Sequence, residues 1–257
     1  YAYYYLAQLF QNSYDPAQLI LPYYDGELTE TAKVPASQIY DLVISDLTDA
    51  IELLDGYART DKSKIDKTIA QGLLAYVHAG MGNFTDAKVM ADAVIASGYP
   101  LTTAGALAYP GAGSGFNDVN SPSWIWAFDL TEELGHQLID WWGQMDPFTY
   151  GYAWAGDYKS IDDALYVQID DSDIRKTQFG TGTAPLQAIN KFFDPNRQIG
   201  GQYIITTDLI FMRVEEFYLL SAESAARTGN EAAAKATMIE MLDNRMPNAA
   251  STVNALS

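Results

Sequence analysis

The chain reads as mainly α-helical: tetratricopeptide-like helical hairpins around an irregular, aromatic-rich insertion containing short strands. Two turn signatures and one break in composition predict this. Gly82-Asn83-Phe84-Thr85-Asp86-Ala87 and Gly229-Asn230-Glu231-Ala232-Ala233-Ala234 each lie between apolar runs of period 3.6. The glycine can take the left-handed conformation that ends a helix, and the following alanines let the next helix pack closely. Leu74, Ala75 and His78 precede the first turn, and Ala87, Ala91 and Val94 follow it. Tyr218, Ser221, Ala222 and Ala225 precede the second, with Ala234, Met238 and Met241 after it. Between the hairpins the helical period disappears.

Taken in order, Tyr1 to Phe10 form the body of a helix that stops at the breaker cluster Asn12-Ser13-Tyr14-Asp15-Pro16. A loop rich in tyrosine and proline runs to Pro35. Ile39, Leu42, Val43, Leu47, Ala50, Ile51 and Leu54 then mark an amphipathic helix, with Asp41, Asp46, Asp49 and Glu52 on its other side. A third helix carries Ile65, Ile69, Leu73, Leu74 and Val77; a fourth runs from Thr85, read as its N-cap, to Ser97-Gly98. From Thr102 to Pro122 glycine, alanine, serine and proline end helical order. Trp124 to Phe128 read as a short buried strand, with Trp124 and Trp126 assigned to the core. Residues 131–160 read as a structured loop with at most a short helix. A helix over Asp162 to Ile169, a strand over Tyr203 to Thr206 and a surface tail beyond Pro247 complete the expectation. The organisation is one domain over 1–257: an N-terminal helical region over 1–101, an irregular aromatic insertion over 102–207 and a second hairpin over 208–246.

Composition narrows the function. The formal charge is −18, from 33 acidic and 15 basic residues, and no Lys/Arg cluster offsets it, so nucleic acid is not an expected partner. There is no cysteine for a disulfide or thiolate site, and no apolar run has the length of a membrane span. Asp170-Asp171-Ser172-Asp173 lacks the glycine and distal glutamate of an EF-hand loop and reads as a helix-terminating cluster; no metal or cofactor is expected. Glu215, Glu216 and Glu223 share a helix with Arg213 and Arg227 at spacings that suggest intrahelical pairing. No nucleophile elbow, phosphate loop or metal-binding His pair is present, so no catalytic residue is assigned.

Several segments, in order, resemble one family. Tyr1 to Phe10 look like its first helix, and Ile39-Tyr-Asp-Leu-Val-Ile-Ser-Asp-Leu47 like its second. Ala70 to Leu101, with the Gly82-Asn83-Phe84 turn and the Ile95-Ala-Ser-Gly-Tyr-Pro-Leu101 exit, look like the next pair. Arg213-Val-Glu-Glu-Phe-Tyr-Leu-Leu-Ser-Ala-Glu223 is similar to its most recognisable helix. The family is the SusD/RagB-like outer-membrane nutrient-binding lipoproteins of Bacteroidetes. The resemblance implies a lipid-anchored protein on the outer face of the outer membrane, with a SusC-like TonB-dependent transporter as partner. It also implies capture of an oligosaccharide, or occasionally a peptide, without chemistry on it. No signal peptide or lipobox cysteine precedes Tyr1, and the family's closing segment does not follow the last hairpin. On that reading the chain is a fragment whose lipid anchor lies outside it. The alternative is a tetratricopeptide scaffold that binds another protein in its groove.

Glycan capture needs flat aromatic surfaces, because the polarised C–H groups on a sugar face pack against an electron-rich ring while amides and carboxylates read the hydroxyls. The glycine-punctuated loop from Gly135 to Tyr158 has that composition. The expected binding residues are Trp141, Trp142, Tyr150, Tyr152 and Trp154 as one exposed patch, with Tyr24 from the loop after the first helix. The competing use of each ring is core filling. His78 is expected to be a hydrogen-bonded packing residue, and His136 enters the aromatic loop.

Overall fold

Residues 1–24, 32–182 and 185–256 are described by the structure, a computed structural model. They divide into two units: Tyr1–Thr60, Lys64–Gly98 and Glu216–Thr237 make the first; Asp61–Ser63, Tyr99–Glu215 and Met238–Ser257 make the second. Helices dominate, and strands are confined to two short antiparallel pairs among the described residues.

The first unit holds α1 (Ala2–Gln8), β1 (Leu19–Pro22), β2 (Lys33–Pro35), α2 (Ala36–Leu53), α3 (Lys67–Gly80) and α4 (Phe84–Ile95). The loop expected before Pro35 thus contains a small sheet, with Leu21 opposite Val34 and Pro22 opposite Lys33; residues 25–31 lie outside the described residues. Ile39, Tyr40, Val43 and Leu47 form the buried stripe of α2, as their period requires. α3 packs on both α2 and α4. Asp66 caps α3 by accepting from the Ile69 N–H at 3.0 Å. α4 begins one residue before Thr85, and its N-cap position, Asn83, makes no side-chain capping bond. Ala87, Ala91 and Val94 are fully buried, so this helix meets its neighbours through small side chains.

Both predicted turns close alike. After α3, Gly82 has φ +81°, its N–H donates to the Ala79 carbonyl at 3.0 Å, and the Asn83 N–H donates to the His78 carbonyl at 2.8 Å. Gly229, with φ +80°, follows α8 (Val214–Arg227) and leads into α9 (Glu231–Leu242). There the Gly229 N–H reaches the Ala226 carbonyl at 3.0 Å and the Asn230 N–H the Ala225 carbonyl at 2.8 Å. Each is a Schellman closure, which needs the left-handed residue that only glycine supplies without strain. In the same unit Phe217 is fully buried with the Tyr76 ring stacked on it, centroids 5.3 Å apart. The Tyr76 hydroxyl donates to Glu216, and burial pushes that phenol far above its usual range. His78 departs from expectation: its Nδ1 is buried and has no hydrogen-bond partner among the described residues, and burial lowers its pKa.

The second unit contains α5 (Ala104–Leu107), β3 (Trp124–Phe128), a 3-10 turn (Glu132–Leu134), α6 (Trp141–Met145), α7 (Asp163–Tyr166), a second 3-10 turn (Ile174–Gln178), β4 (Leu209–Arg213) and α10 (Ala249–Asn254). Trp124 and Trp126 are buried as expected, Trp124 against Leu107, Phe116 and Ala127. Three expectations need correction. β3 pairs antiparallel with β4, Trp124 opposite Arg213 and Phe128 opposite Leu209, whereas residues 203–206 form no strand. β4 runs into α8 without a breaker, so its apolar residues merged with the helical pattern in the sequence. α5, capped by the Thr103 hydroxyl, adds one turn inside the glycine-rich stretch. The tail beyond Pro247 folds as α10, with Ala249 and Val253 buried.

Glu215 organises this unit. Its carboxylate is almost fully buried, and Oε1 accepts from the Thr102 N–H at 2.6 Å and from Arg245 Nη2 at 3.3 Å. Arg213, the last residue of β4, lies farther off, its Nε 3.7 Å from Oε2. Asn244 donates to the Thr102 carbonyl at 2.7 Å, Thr102 and Ser123 share a hydroxyl bond of 2.8 Å, and Ser123 accepts from the Val214 N–H at 3.0 Å. Glu223 does pair with Arg227 within the helix, at 2.7 Å and in solvent.

Removing one partner of a buried pair strands the other charge, whereas solvent screens an exposed pair. Glu215→Ala should therefore lower the unfolding free energy by about 3–5 kcal/mol. Glu223→Ala should change it by less than about 1 kcal/mol in the same urea titration.

Candidate functional site

The aromatic loop is held by backbone contacts between glycines. Gly151 crosses Gly143 so closely that a Cβ on Gly151 would sit 2.5 Å from the Gly143 carbonyl oxygen, and Ala153 N–H donates to that same oxygen at 2.9 Å. Beyond it, residues 147–150 pair with 200–202. The Gly200 N–H donates to Pro147 at 3.1 Å, Gly201 N–H to Phe148 at 2.8 Å, and Tyr150 N–H to Gln202 at 3.0 Å. Gln202 completes the join through its side chain, donating to the Thr149 hydroxyl at 2.8 Å and accepting from the Thr206 N–H at 2.8 Å.

That pairing builds a row of rings. Tyr150 and Tyr203 stack with centroids 4.5 Å apart and planes at 20°, and Trp154 lies 4.7 Å from Tyr150 on a 34° tilt. Tyr203 is 62% exposed and Trp154 42%, with Tyr150 half-buried between them. Gly200 makes room for the indole: at φ +60°, a Cβ there would lie 2.7 Å from Trp154 Nε1.

Tyr203 also lines a polar pocket of about 360 Å³, together with Glu132, Asp194, Asn196, Gln198, Gln202 and Thr206. Asp194 is 4% exposed, and burial raises its pKa. Behind it Asp146 is fully buried and takes hydrogen bonds from Phe148 N–H at 3.0 Å, the Thr149 hydroxyl at 2.9 Å and Asp194 N–H at 2.8 Å. Burial pushes its pKa up to about 6, against the pull of those three donors. Arg197 projects away into a cage of Tyr109, Phe148 and Phe193, its guanidinium carbon 3.9, 4.4 and 4.5 Å from the three ring centres. A second cavity, also about 360 Å³, is lined by Leu101, Thr102, Ala106, Phe116, Asn117 and Trp124 among others.

The predicted residues separate. Tyr150 and Trp154 come together, and the ring completing their row, Tyr203, was read from the sequence as belonging to a strand. Its signal was the preceding Gly200-Gly201, a backbone able to approach another chain closely. Trp142 is the clear correction to an exposed patch. It is fully buried against Leu130 and Ile205, and its indole N–H donates to the Asp208 carbonyl at 3.2 Å. Asp140 caps α6 through the Trp142 N–H, and successive helical residues point about 100° apart, so Trp141 stays 39% exposed while its neighbour turns inward. Trp141 packs edge-on against Trp142 and Phe192, each at 4.9 Å. Tyr152 is exposed. Tyr24 is exposed too, but belongs to the first unit. His136 braces α6, its Nδ1 lying 2.5 Å from the Asp140 carboxylate. Asp170 and Asp173 turn their carboxylates onto the N–H groups of Ser172 and Arg175, and no group of three metal-ligating side chains occurs among the described residues.

Neither a scan of protein-family models nor a search of curated proteins returns a match. Solved structures do match. A SusD-like carbohydrate binding protein from Bacteroides vulgatus superposes with a TM-score of 0.73 at 23% identity, over 98% of this chain and 56% of that one. A SusD superfamily protein from Bacteroides thetaiotaomicron gives 0.70 at 19% identity, over 100% and 58%. Surface glycan-binding protein A from Bacteroides thetaiotaomicron gives 0.61 at 14%, over 88% and 56%. The fold is therefore SusD-like, as the resemblance implied, and the chain spans just over half the length of these structures.

Two measurements check the geometry. Gly200→Ala should displace the Trp154 indole and red-shift its emission as it enters water, at a stability cost of about 1–2 kcal/mol for a side chain at positive φ. For Asp146, whose folded pKa lies above its unfolded value, the favourable contribution is complete below about pH 4 and is lost as pH rises through about 6. The stability of the protein relative to an Asp146→Asn variant should therefore rise between pH 7 and pH 4, by up to about 3 kcal/mol.

Proposed function

We propose that this chain is the ligand-capturing portion of a cell-surface glycan-binding protein, and that the row Trp154, Tyr150 and Tyr203 with the adjoining pocket is where the oligosaccharide lies. The observation that carries the reading is the row itself: two exposed rings held rigidly against a third, beside a pocket of carboxylates and amides. Exposed aromatic surface costs free energy unless a ligand covers it, and sugar faces are the complementary chemistry. Tyr152 and Trp141 extend the aromatic surface of the same loop and are proposed as outer contacts; Tyr24, on the first unit, is a separate candidate contact and no part of this site.

The SusD-like fold supports the rest of the proposal. The protein binds the glycan without cleaving it, sits on the outer face of an outer membrane through a lipid anchor, and passes its ligand to a SusC-like TonB-dependent transporter. No helix among the described residues is long and apolar enough to cross a membrane.

Affinity electrophoresis against a polysaccharide panel tests the site. Tyr203→Ala and Trp154→Ala should each weaken retention about fivefold or more, equivalent to about 1 kcal/mol of lost stacking, with an unchanged melting temperature. Trp142→Ala should instead destabilise the fold by about 3–5 kcal/mol. Retention unaffected by both exposed-ring variants would move the site elsewhere, and reducing ends released by the pure protein would overturn binding without chemistry.

A further inference from the structure

The pocket beside Tyr203 has a one-sided charge. Its lining carries two carboxylates, Glu132 and Asp194, the amides of Asn196, Gln198 and Gln202, and the Thr206 hydroxyl; no lysine, arginine or histidine is among the lining residues. Arg197, the sole basic residue between Asp194 and Thr206 in the sequence, spends its charge elsewhere. Three rings surround its guanidinium, and its N–H groups donate to the Ile189 carbonyl at 3.0 Å and to Asn190 Oδ1 at 3.3 Å. Some of the polar lining is also committed. The Gln202 amide is consumed by Thr149, Thr206 and Thr207, and Asp194 accepts from the Asn196 N–H at 3.1 Å. Glu132 stands differently: it is exposed at the pocket edge, and its carboxylate has no hydrogen bond or ion pair among the described residues. A free carboxylate is an acceptor pair suited to two sugar hydroxyls, and it repels a ligand that brings its own negative charge.

We propose that this pocket selects uncharged sugar units and excludes uronate-bearing and sulfated chains, with Glu132 as the residue that sets the selection. This rests on the capture reading above and narrows its ligand class. The hydroxyls of a neutral ring donate to Glu132 while its face covers Tyr203. A uronate supplies no donor at its carboxylate and meets Glu132 and Asp194 with no cation to neutralise it. The overall charge of −18 disfavours acidic chains at long range as well, but that effect is diffuse and is screened by salt.

The test is affinity electrophoresis of the chain at physiological salt against neutral polysaccharides such as starch, galactan, xylan and mannan, each beside its own carboxymethylated derivative. A neutral parent should be retained and its carboxymethylated derivative bound at least about tenfold more weakly. Glu132→Gln, a surface change that leaves the melting temperature in place, should narrow that gap to about threefold or less by strengthening retention of the carboxymethylated chain, while neutral binding weakens by up to about fivefold as an amide replaces the charged acceptor. Repulsion by the whole surface would leave the gap unchanged, since the variant removes only one of many surplus charges; an unchanged gap overturns the assignment to Glu132. Equal or tighter binding of carboxymethylated chains, lost in Tyr203→Ala, overturns the selection and leaves capture standing. Retention of no polysaccharide overturns both.

Discussion

One buried carboxylate sets the terms for the second unit. Glu215 enters the interior at the first turn of α8, where a charge can survive only if donors surround it. Those donors are the Thr102 N–H and Arg245, contributed by the loop after α4 and by the chain after α9. Satisfying one carboxylate therefore ties two remote segments to the start of α8. Ser123 then accepts from Val214, which sets where β3 starts beside β4. The next residue, Glu216, does the same work in the first unit by accepting from Tyr76.

The candidate site depends on a second buried acid used in the same way. Asp146 ends α6 and takes donors from the turn that follows it and from Asp194. This brings the 146–150 segment beside the segment that carries Tyr203, and the backbone pairing of 147–150 with 200–202 follows. The irregularity of this region is therefore only apparent. Its backbone groups are satisfied by local turns and isolated bridges in place of long ladders. Rings mounted on such a backbone stay in register without a helix or strand beneath them.

Periodicity and turn chemistry made the helical hairpins legible: the stripe of α2, the alanines of α4 and the two Schellman glycines all act locally, within a few residues. β4 was hidden because it passes directly into α8, and α10 because its alanine, serine and asparagine content resembles a tail. The loop from Gly135 to Tyr158 is aromatic by composition, but composition does not separate Trp142 from Trp154. Burial there is decided by which way α6 turns and by a hydrogen bond to Asp208, a partner distant in sequence. Tyr203 is invisible to composition for the same reason, since its stacking on Tyr150 exists only once the two segments pair. Glu215 shows the limit most plainly: no residue at helical spacing is its partner, and the fold supplies Thr102 and Arg245 from segments remote in sequence.

The rigidity of the aromatic row bears on how such a site works. A shallow surface gains little area from each sugar, so conformational entropy lost on binding can cancel the gain. Here part of that loss is already incurred in folding: Tyr150 stacks between two rings, the Trp154 indole packs where a Cβ on Gly200 would not fit, and Gln202 is bonded at both ends of its amide. Preorganised rings give each contact most of its stacking energy, while the small contact area keeps the total modest. For the capture proposed above, that combination suits a repetitive ligand held through successive weak contacts and still released.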